Sequence, residues 1–293
     1  MTLDANLERL APDGERKLKR HARVAYANRQ RRLHLYEAMV ESLDGRVSEE
    51  ELDIHFTHMP ARYWTRVTEE SLTRHLTIIH AFLAALISPE SDGTAPAVHW
   101  RHCPDRGVTE VEVCTWDRLG LLAKVAGAFA AVGLNIVRAD IYTRVDNVVL
   151  DIFEITEPEG GVVRDESLLR AMADLLETSL RAGPLDATSL PASIPAPAVT
   201  APEPIAGGAV VSFDILRNDA YTVLQLEAVD RVGLLYAIFS ALADGEVNVA
   251  HAIITTDNGR AGDVFFLTDA DGHRITDPAR LERLRHRVLA RLA

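Results

Sequence analysis

One stretch of this chain is written twice. Trp116 to Thr143 (WDRLGLLAKVAGAFAAVGLNIVRADIYT) and Val229 to Thr256 (VDRVGLLYAIFSALADGEVNVAHAIITT) align without a gap at a constant offset of 113 residues. Identities fall at Asp117/Asp230, Arg118/Arg231, Gly120/Gly233, Leu121/Leu234, Leu122/Leu235, Ala128/Ala241, Ala130/Ala243, Asn135/Asn248, Ala139/Ala252, Ile141/Ile254 and Thr143/Thr256. A duplication this long constrains the fold more than any local propensity, because each copy must be a packing unit of its own.

The periodicities give the unit its elements. Val111, Val113 and Thr115 alternate with Glu110, Glu112 and Cys114, a strand with one buried face. Leu121, Leu122, Val125, Phe129 and Val132 repeat at helical spacing, and Asn135 to Thr143 returns to period two. The identities at 135, 139, 141 and 143 suggest one helix-packed face, leaving Arg138, Asp140 and Tyr142 on a bare one, with His251, Ile253 and Thr255 in the second copy. Val148 to Ile155 follows a turn at Asp146-Asn147, whose counterpart Asn258-Gly259 is a strong hairpin signal. Asp165 to Ala182 is a second helix, matched by Asp277 to Ala293.

Strand, helix, strand, strand, helix is most of a ferredoxin-like unit, in which two helices cover one face of a four-stranded antiparallel sheet. The remaining strand is expected ahead of each copy. Val98-His99-Trp100 and Val211-Ser212-Phe213 also lie 113 apart, each joined to the first strand by a turn-rich segment. The expected fold class is therefore α+β, with the leading strand in the edge position of each sheet. Bare faces and edges favour docking between the two copies or between two chains.

Upstream, apolar residues from Leu18 to Leu43 recur at helical steps, Ser48 to Glu51 has the capping-box spacing, and Thr68 caps a third helix. The expected boundaries are a helical domain over 1–88, copy one over 98–183, an Ala/Pro-rich linker over 184–208 and copy two over 209–293. Arg16, Lys17, Lys19, Arg20, Arg23, Arg29, Arg31 and Arg32 cluster on the first helix, as a solvated face or as a contact for an acidic partner, a protein among them, or phosphate. His55, His58, His75 and His80 fall near one another, but neither a His-Asp pair nor an HExxH helix accompanies them, so no metal is expected there.

A net charge of −12 argues against a surface given over to nucleic acid or anionic lipid. No apolar run reaches the roughly 18 residues of a membrane span, and the polar N-terminus has no signal-peptide core. With Cys103 and Cys114 in no CxxC arrangement, the expectation is a cytoplasmic protein with reduced thiols.

The repeated Asp-Arg-x-Gly-Leu-Leu with Asn135-Ile136 and Asn248-Val249 downstream resembles the ACT domain, a small-molecule regulatory module. Asp151-Ile152-Phe153 and Asp263-Val264-Phe265 keep an Asp-x-Phe in the third strand of both copies. The order helices, ACT, ACT, with HFTHMPARYW upstream, is similar to the C-terminal portion of bacterial protein-PII uridylyltransferase/uridylyl-removing enzymes, whose tandem ACT domains sense glutamine. The proline usual in the family's loop is Leu119 in one copy and Val232 in the other, which leaves the loop less rigid. Neither a nucleotidyltransferase loop with paired aspartates nor a His-Asp phosphohydrolase motif is present, and Asp269-Ala270-Asp271 is a poor Mg²⁺ holder.

The resemblance implies an amino-acid ligand, with glutamine leading, and the loop chemistry suits one. The ligand carboxylate can sit at the helix N-terminus, whose free N–H groups favour an anion, with Gly120 and Gly233 allowing close approach. Asp117 and Asp230 can take the ammonium, and Asn135 and Asn248 can fix a side-chain amide. An architectural alternative stands beside this, since Asp is a favoured N-cap and Asn often closes a turn. The candidate ligand-binding residues are Asp117, Leu119, Gly120, Leu121, Asn135 and Ile136, with Asp230, Val232, Gly233, Leu234, Asn248 and Val249. The expected function is non-catalytic amino-acid sensing without a cofactor. The alternatives are a divergent or partial uridylyltransferase/uridylyl-removing enzyme and a tandem-ACT transcriptional regulator.

Overall fold

A computed structural model describes residues 13–43, 45–87, 93–181, 208–216 and 218–292, with the side chains of the first helix from Tyr26 onward. The Ala/Pro-rich stretch over 184–207, residues 88–92 and the side chains of the basic residues up to Arg23 lie outside what is described. The chain divides into two compact units, residues 1–77 and 78–293.

The first unit is helical: α1 (Asp13–Leu43), α2 (Glu49–His58) and the first half of α3 (Glu69–Leu86), with a short 3-10 turn at Tyr63–Thr65. The capping box at Ser48 is made in full, Ser48 Oγ accepting from the Glu51 amide and the Glu51 carboxylate accepting from the Ser48 amide. Helix α2 ends with its C-cap Met59, just before Pro60, and Tyr63 and Trp64 fold back into a core with Leu35, Met39, Phe56 and Leu72. Arg31 donates to the carbonyls of Trp64 and Val67, and Arg32 lies 4.6 Å above the Trp64 ring while donating to the Phe56 carbonyl. Part of the basic cluster is thus built into the fold. His55 Nε2 and His75 Nδ1 both bond the Tyr63 hydroxyl, at 3.2 and 2.8 Å.

The second unit holds the two copies. In copy one β1 (Ala97–Cys103) and β2 (Val108–Trp116) lead into α4 (Leu121–Ala131), β3 (Asn135–Thr143), β4 (Val148–Thr156) and α5 (Glu166–Arg181). Copy two repeats the order with β5 (Val210–Asp214), β6 (Thr222–Val229), α6 (Leu234–Ala243), β7 (Val247–Ile253), a short β8 (Thr256–Asp257), β9 (Arg260–Asp269) and α7 (Pro278–Leu292). The sheets run β1-β2-β4-β3 and β5-β6-β9-β7, antiparallel throughout, with β8 paired to β9. The leading strands take the edge: Val98 faces Val113 and Trp100 faces Val111, as Val211 faces Leu226 and Phe213 faces Leu224. Val111, Val113, Phe153, Ile155, Leu224, Leu226, Phe265 and Leu267 form the helix-covered face, and full burial of each such side chain stabilises by about 1.5–3 kcal/mol.

Two expectations about strand faces need correcting. A bulge sits at the same place in both copies, between Ile136 and Arg138 and between Val249 and His251. The extra residue inverts the alternation, so Ile136, Ala139 and Ile141 share the core face while Asn135 turns to the other side; Asn248 does likewise. The second face of sheet one is not bare either: Tyr142 is buried along with Glu112, Cys114 and Leu150. Phe82, from the end of α3 that belongs to this unit, stands edge-on to Trp116 at 5.5 Å beside that face.

The copies join side by side. Helix α4 packs on α6, edge strand β3 runs beside edge strand β7, and one apolar core continues through both.

Candidate functional site

The two loops are built alike. Gly120 and Gly233 are the helix N-caps, at φ 78° and 82°, a left-handed conformation that a side chain resists. Having no side chain, they supply no cap hydrogen bond, and Asp117 and Asp230 stand three residues earlier rather than capping the helix. The Leu121 and Leu234 amides bond the Arg118 and Arg231 carbonyls at 3.1 Å. The Asp117 and Asp230 amides tie the loops to the neighbouring hairpins, on Asn147 and Gly259 carbonyls at 2.8 and 2.9 Å. Arg118 and Arg231 reach back to the last carbonyls of α5 and α7, at Leu180 (3.0 Å) and Leu292 (3.3 Å), where cations meet the negative helix end. Beside Arg118, Lys124 donates to the Ser179 carbonyl at 2.9 Å, and burial together with the Arg118 charge lowers its pKa.

The carboxylates differ. Asp230 Oδ2 accepts from Asn135 Nδ2 at 3.1 Å and from the Thr256 hydroxyl at 3.1 Å. The Asn–Asp bond crosses between copies, joining the start of β3 in copy one to the loop of copy two. Asp117 is exposed yet flanked by enough protein that dehydration, opposed by a hydrogen bond from the Arg118 backbone, raises its carboxyl above the ordinary range. Among the described residues, no hydrogen bond joins Asp117 to Asn248.

A recess opens where Asn135 meets Asp230. It is lined by Ala126, Leu134, Asn135 and Ile136 from copy one and by Asp230, Gly233, Leu234, Leu235 and Tyr236 from copy two, and encloses about 10 Å³. That is room for roughly one water molecule, so an amino acid enters only if the seam opens. The structure thus gathers Asn135, Ile136, Asp230, Gly233 and Leu234 into one place. Leu121 is buried in the core, Leu119 is exposed, Val232 is half-buried, and Val249 packs partly against the core. Spacing did not single out Ala126, Tyr236 or Thr256 as site residues, although the Thr143/Thr256 identity marked the last.

Elsewhere, Asp269, Asp271 and His273 come close enough to share an ion, but Asp269 Oδ1 already accepts from the Asp271 and His273 amides at 3.0 and 2.7 Å in an exposed turn. Among the described residues, no helix is long and apolar enough to cross a membrane.

Comparison with known proteins follows the division just described. The ACT-domain family matches residues 108–177, and the family described as ACR9-like, ACT-like domain matches residues 210–293. Bifunctional uridylyltransferase/uridylyl-removing enzymes are similar over most of the chain. The protein from Gluconobacter oxydans is 32% identical over 88% of this chain and 27% of its own length. Those from Bradyrhizobium diazoefficiens and Nitrobacter winogradskyi are 34% and 30% identical, over 79% and 91% of this chain and 24% and 28% of their own. The chain spans about a quarter of the length of the curated relatives it matches. It is a tandem ACT-domain chain, homologous to the C-terminal region of those enzymes.

Proposed function

We propose that this chain is a non-catalytic, cytoplasmic regulatory protein that senses an amino acid, glutamine first among candidates, in nitrogen or amino-acid metabolism. Its working parts are a helical domain over 1–88, ACT domains over 98–183 and 209–293, and a linker over 184–208. The observation that carries the reading is the 3.1 Å bond between Asn135 of one copy and Asp230 of the other. It brings an amide, a carboxylate and the N-terminus of α6 to one recess, the groups that an amino acid's side-chain amide, ammonium and carboxylate call for. Ligand entry exchanges that internal bond for bonds to the ligand, and the seam between the copies opens. Such a ligand shifts the domain arrangement only by its difference in affinity for the closed and open seam.

Isothermal titration of the full chain with glutamine and a panel of other amino acids tests this. Saturable heat with one of them is expected, lost in Asp230→Ala; no heat with any amino acid overturns the sensor reading.

Homology to the relatives supports a second reading, in which the chain serves as the regulatory part of a nucleotidyltransferase. Uridylylation of a PII-type protein by the chain alone is expected to be absent. Glutamine-dependent change in that reaction when the chain is added to a separate catalytic portion supports the second reading.

A further inference from the structure

A second carboxylate stands behind the Asp230 loop. Asp263, on β9, is 1% exposed and lies between Ala261 and Phe265 on the helix-covered face, opposite Leu226 of β6. Its Oδ1 accepts from the Thr255 amide at 3.1 Å, while Oδ2 is buried with no hydrogen-bond partner among the described residues. The next residue, Thr256, donates its hydroxyl to Asp230. Two consecutive threonines therefore hold one carboxylate each. Burial, opposed by the Thr255 amide and reinforced by the Asp230 charge, pushes the Asp263 carboxyl up to about 7.

Among the described residues, no cationic side chain is bonded to either carboxylate of this pair. Arg231 on the same loop is committed to the Leu292 carbonyl. Glu227 of β6 and the hairpin residues Asp257 and Arg260 are exposed, and His251 of β7 stacks on Phe266. Helix α6 carries no charged residue. On α7, Arg280 and Arg291 are held by the Gly245–Glu246 carbonyls and Asp244, Arg283, Arg285 and His286 pair with Asp277 and Glu282, and Arg287 is exposed.

The geometry points to Asp263 as a specificity-determining residue that, acting through Asp230, makes the recess select a ligand group bearing a positive charge over a neutral one. This rests on the amino-acid reading above and names the end of the ligand that the copy-two side of the seam recognises. An ammonium on Asp230 offsets the repulsion that Asp230 exerts on Asp263, so the ionised form of Asp263 is favoured more in the complex than in the free chain. A proton leaves Asp263 for solvent as the ligand binds. By linkage, binding tightens as pH rises through the Asp263 titration and levels off above it.

The test is calorimetry on the full chain between pH 6 and 8, with L-glutamine and N-acetylglutamine as probes, in wild type and Asp263→Asn. Glutamine's own ammonium stays charged across this range. The wild type is expected to bind glutamine roughly two- to fivefold more tightly at pH 8 than at pH 6, the change that a shift of about half to one unit at Asp263 gives across this window. Its heat at pH 6 to 7 depends on the buffer's ionisation enthalpy, a readout that needs no variant. N-acetylglutamine, without the ammonium, binds more weakly and without proton release, and Asp263→Asn flattens the pH profile while narrowing the gap between the probes. If the wild type binds glutamine with no pH dependence and no proton release, or if Asp263→Asn keeps the wild-type profile, the inference falls and the sensor reading stands. If glutamine and every other amino acid give no heat, both fall together.

Discussion

At the scale of single residues, the duplication lets each copy act as a control for the other. After α4 the chain turns at Gly133 with φ 80°; after α6 the same position is Glu246, with φ 53°. A side chain in that left-handed region costs roughly 1–2 kcal/mol, so Glu246→Gly is expected to raise stability by about 0.5–1 kcal/mol in urea melts, the added chain entropy offsetting part of the gain. Gly245 just before it is glycine for another reason. A Cβ there would stand 2.3 Å from Leu284, which is buried in the core, so Gly245→Ala forces α7 to repack and is expected to cost about 1–3 kcal/mol. Asp263 gives a pH prediction. Its folded pKa is about 7 against roughly 3.9 unfolded, so the folded state holds the proton more tightly. Stability from this group is full below pH 4 and lost as pH rises through 7, on the order of a few kcal/mol. Asp263→Asn should therefore be the more stable protein at pH 8, with the difference shrinking toward pH 4 in thermal melts. The Asp-x-Phe repeat made this aspartate visible in the sequence; its burial beside Asp230 was not, because it depends on where β7 breaks off before Thr255.

At the scale of elements, the leading strands were legible from a shared spacing and two turn-rich connections, and the register bears this out. The bulges leave only a faint trace in the sequence, the adjacent apolar residues Ile136-Val137 and Val249-Ala250 that interrupt the alternation; which residue is the extra one shows only in the pairing with β4 and β9. That one residue decides the face on which Asn135 emerges. Strand β1 has its own fastening, which hydrophobic pattern does not report. His102 Nε2 and Trp100 Nε1 both reach the Glu166 carboxylate at the start of α5, at 2.9 and 3.2 Å, and His102 Nδ1 meets the Thr109 hydroxyl at 3.1 Å. The bonds from His102 and then Trp100 hold the Glu166 carboxyl below its ordinary value. A depressed carboxylate stabilises the fold above its unfolded pKa of roughly 4.3, and the contribution disappears as pH falls through the folded value. Amide exchange along β1 is expected to quicken below about pH 4 in the wild type. In Glu166→Gln it should be faster already at neutral pH and lose that acid step; unchanged exchange in the variant would show that the strand is held by its ladder to β2 alone.

At the scale of the whole second unit, the duplication is a pseudo-symmetric pair whose two halves have diverged at the seam. The sequence offers Asp117 with Asn248 and Asp230 with Asn135 as equals, since the residues are the same and the offset is constant. Symmetry is broken even at an aligned pair, Thr143 and Thr256: the copy-two hairpin brings Thr256 onto Asp230, whereas Asp117 stands exposed in a dehydrating surround. Of these two pairs, the Asn135–Asp230 bond alone is made among the described residues, and it ties the edge of one sheet to the loop of the other. Removing it should therefore be felt as loosening between copies, while removing its counterpart should not. Asn135→Ala is expected to cost about 1–2 kcal/mol, because Asp230 loses a hydrogen bond in a partly buried seam. Asn248→Ala, with no such bond to lose, should stay within roughly 0.5 kcal/mol of wild type. Urea unfolding of the two variants measures the difference. Exchange protection of the β3 and β7 edges adds where it is felt, and is expected to fall in Asn135→Ala on both strands, although only one carries the substitution. Equal effects from the two asparagines would mean that the seam is symmetric in solution, and the ligand recess would then have to be sought at both loops.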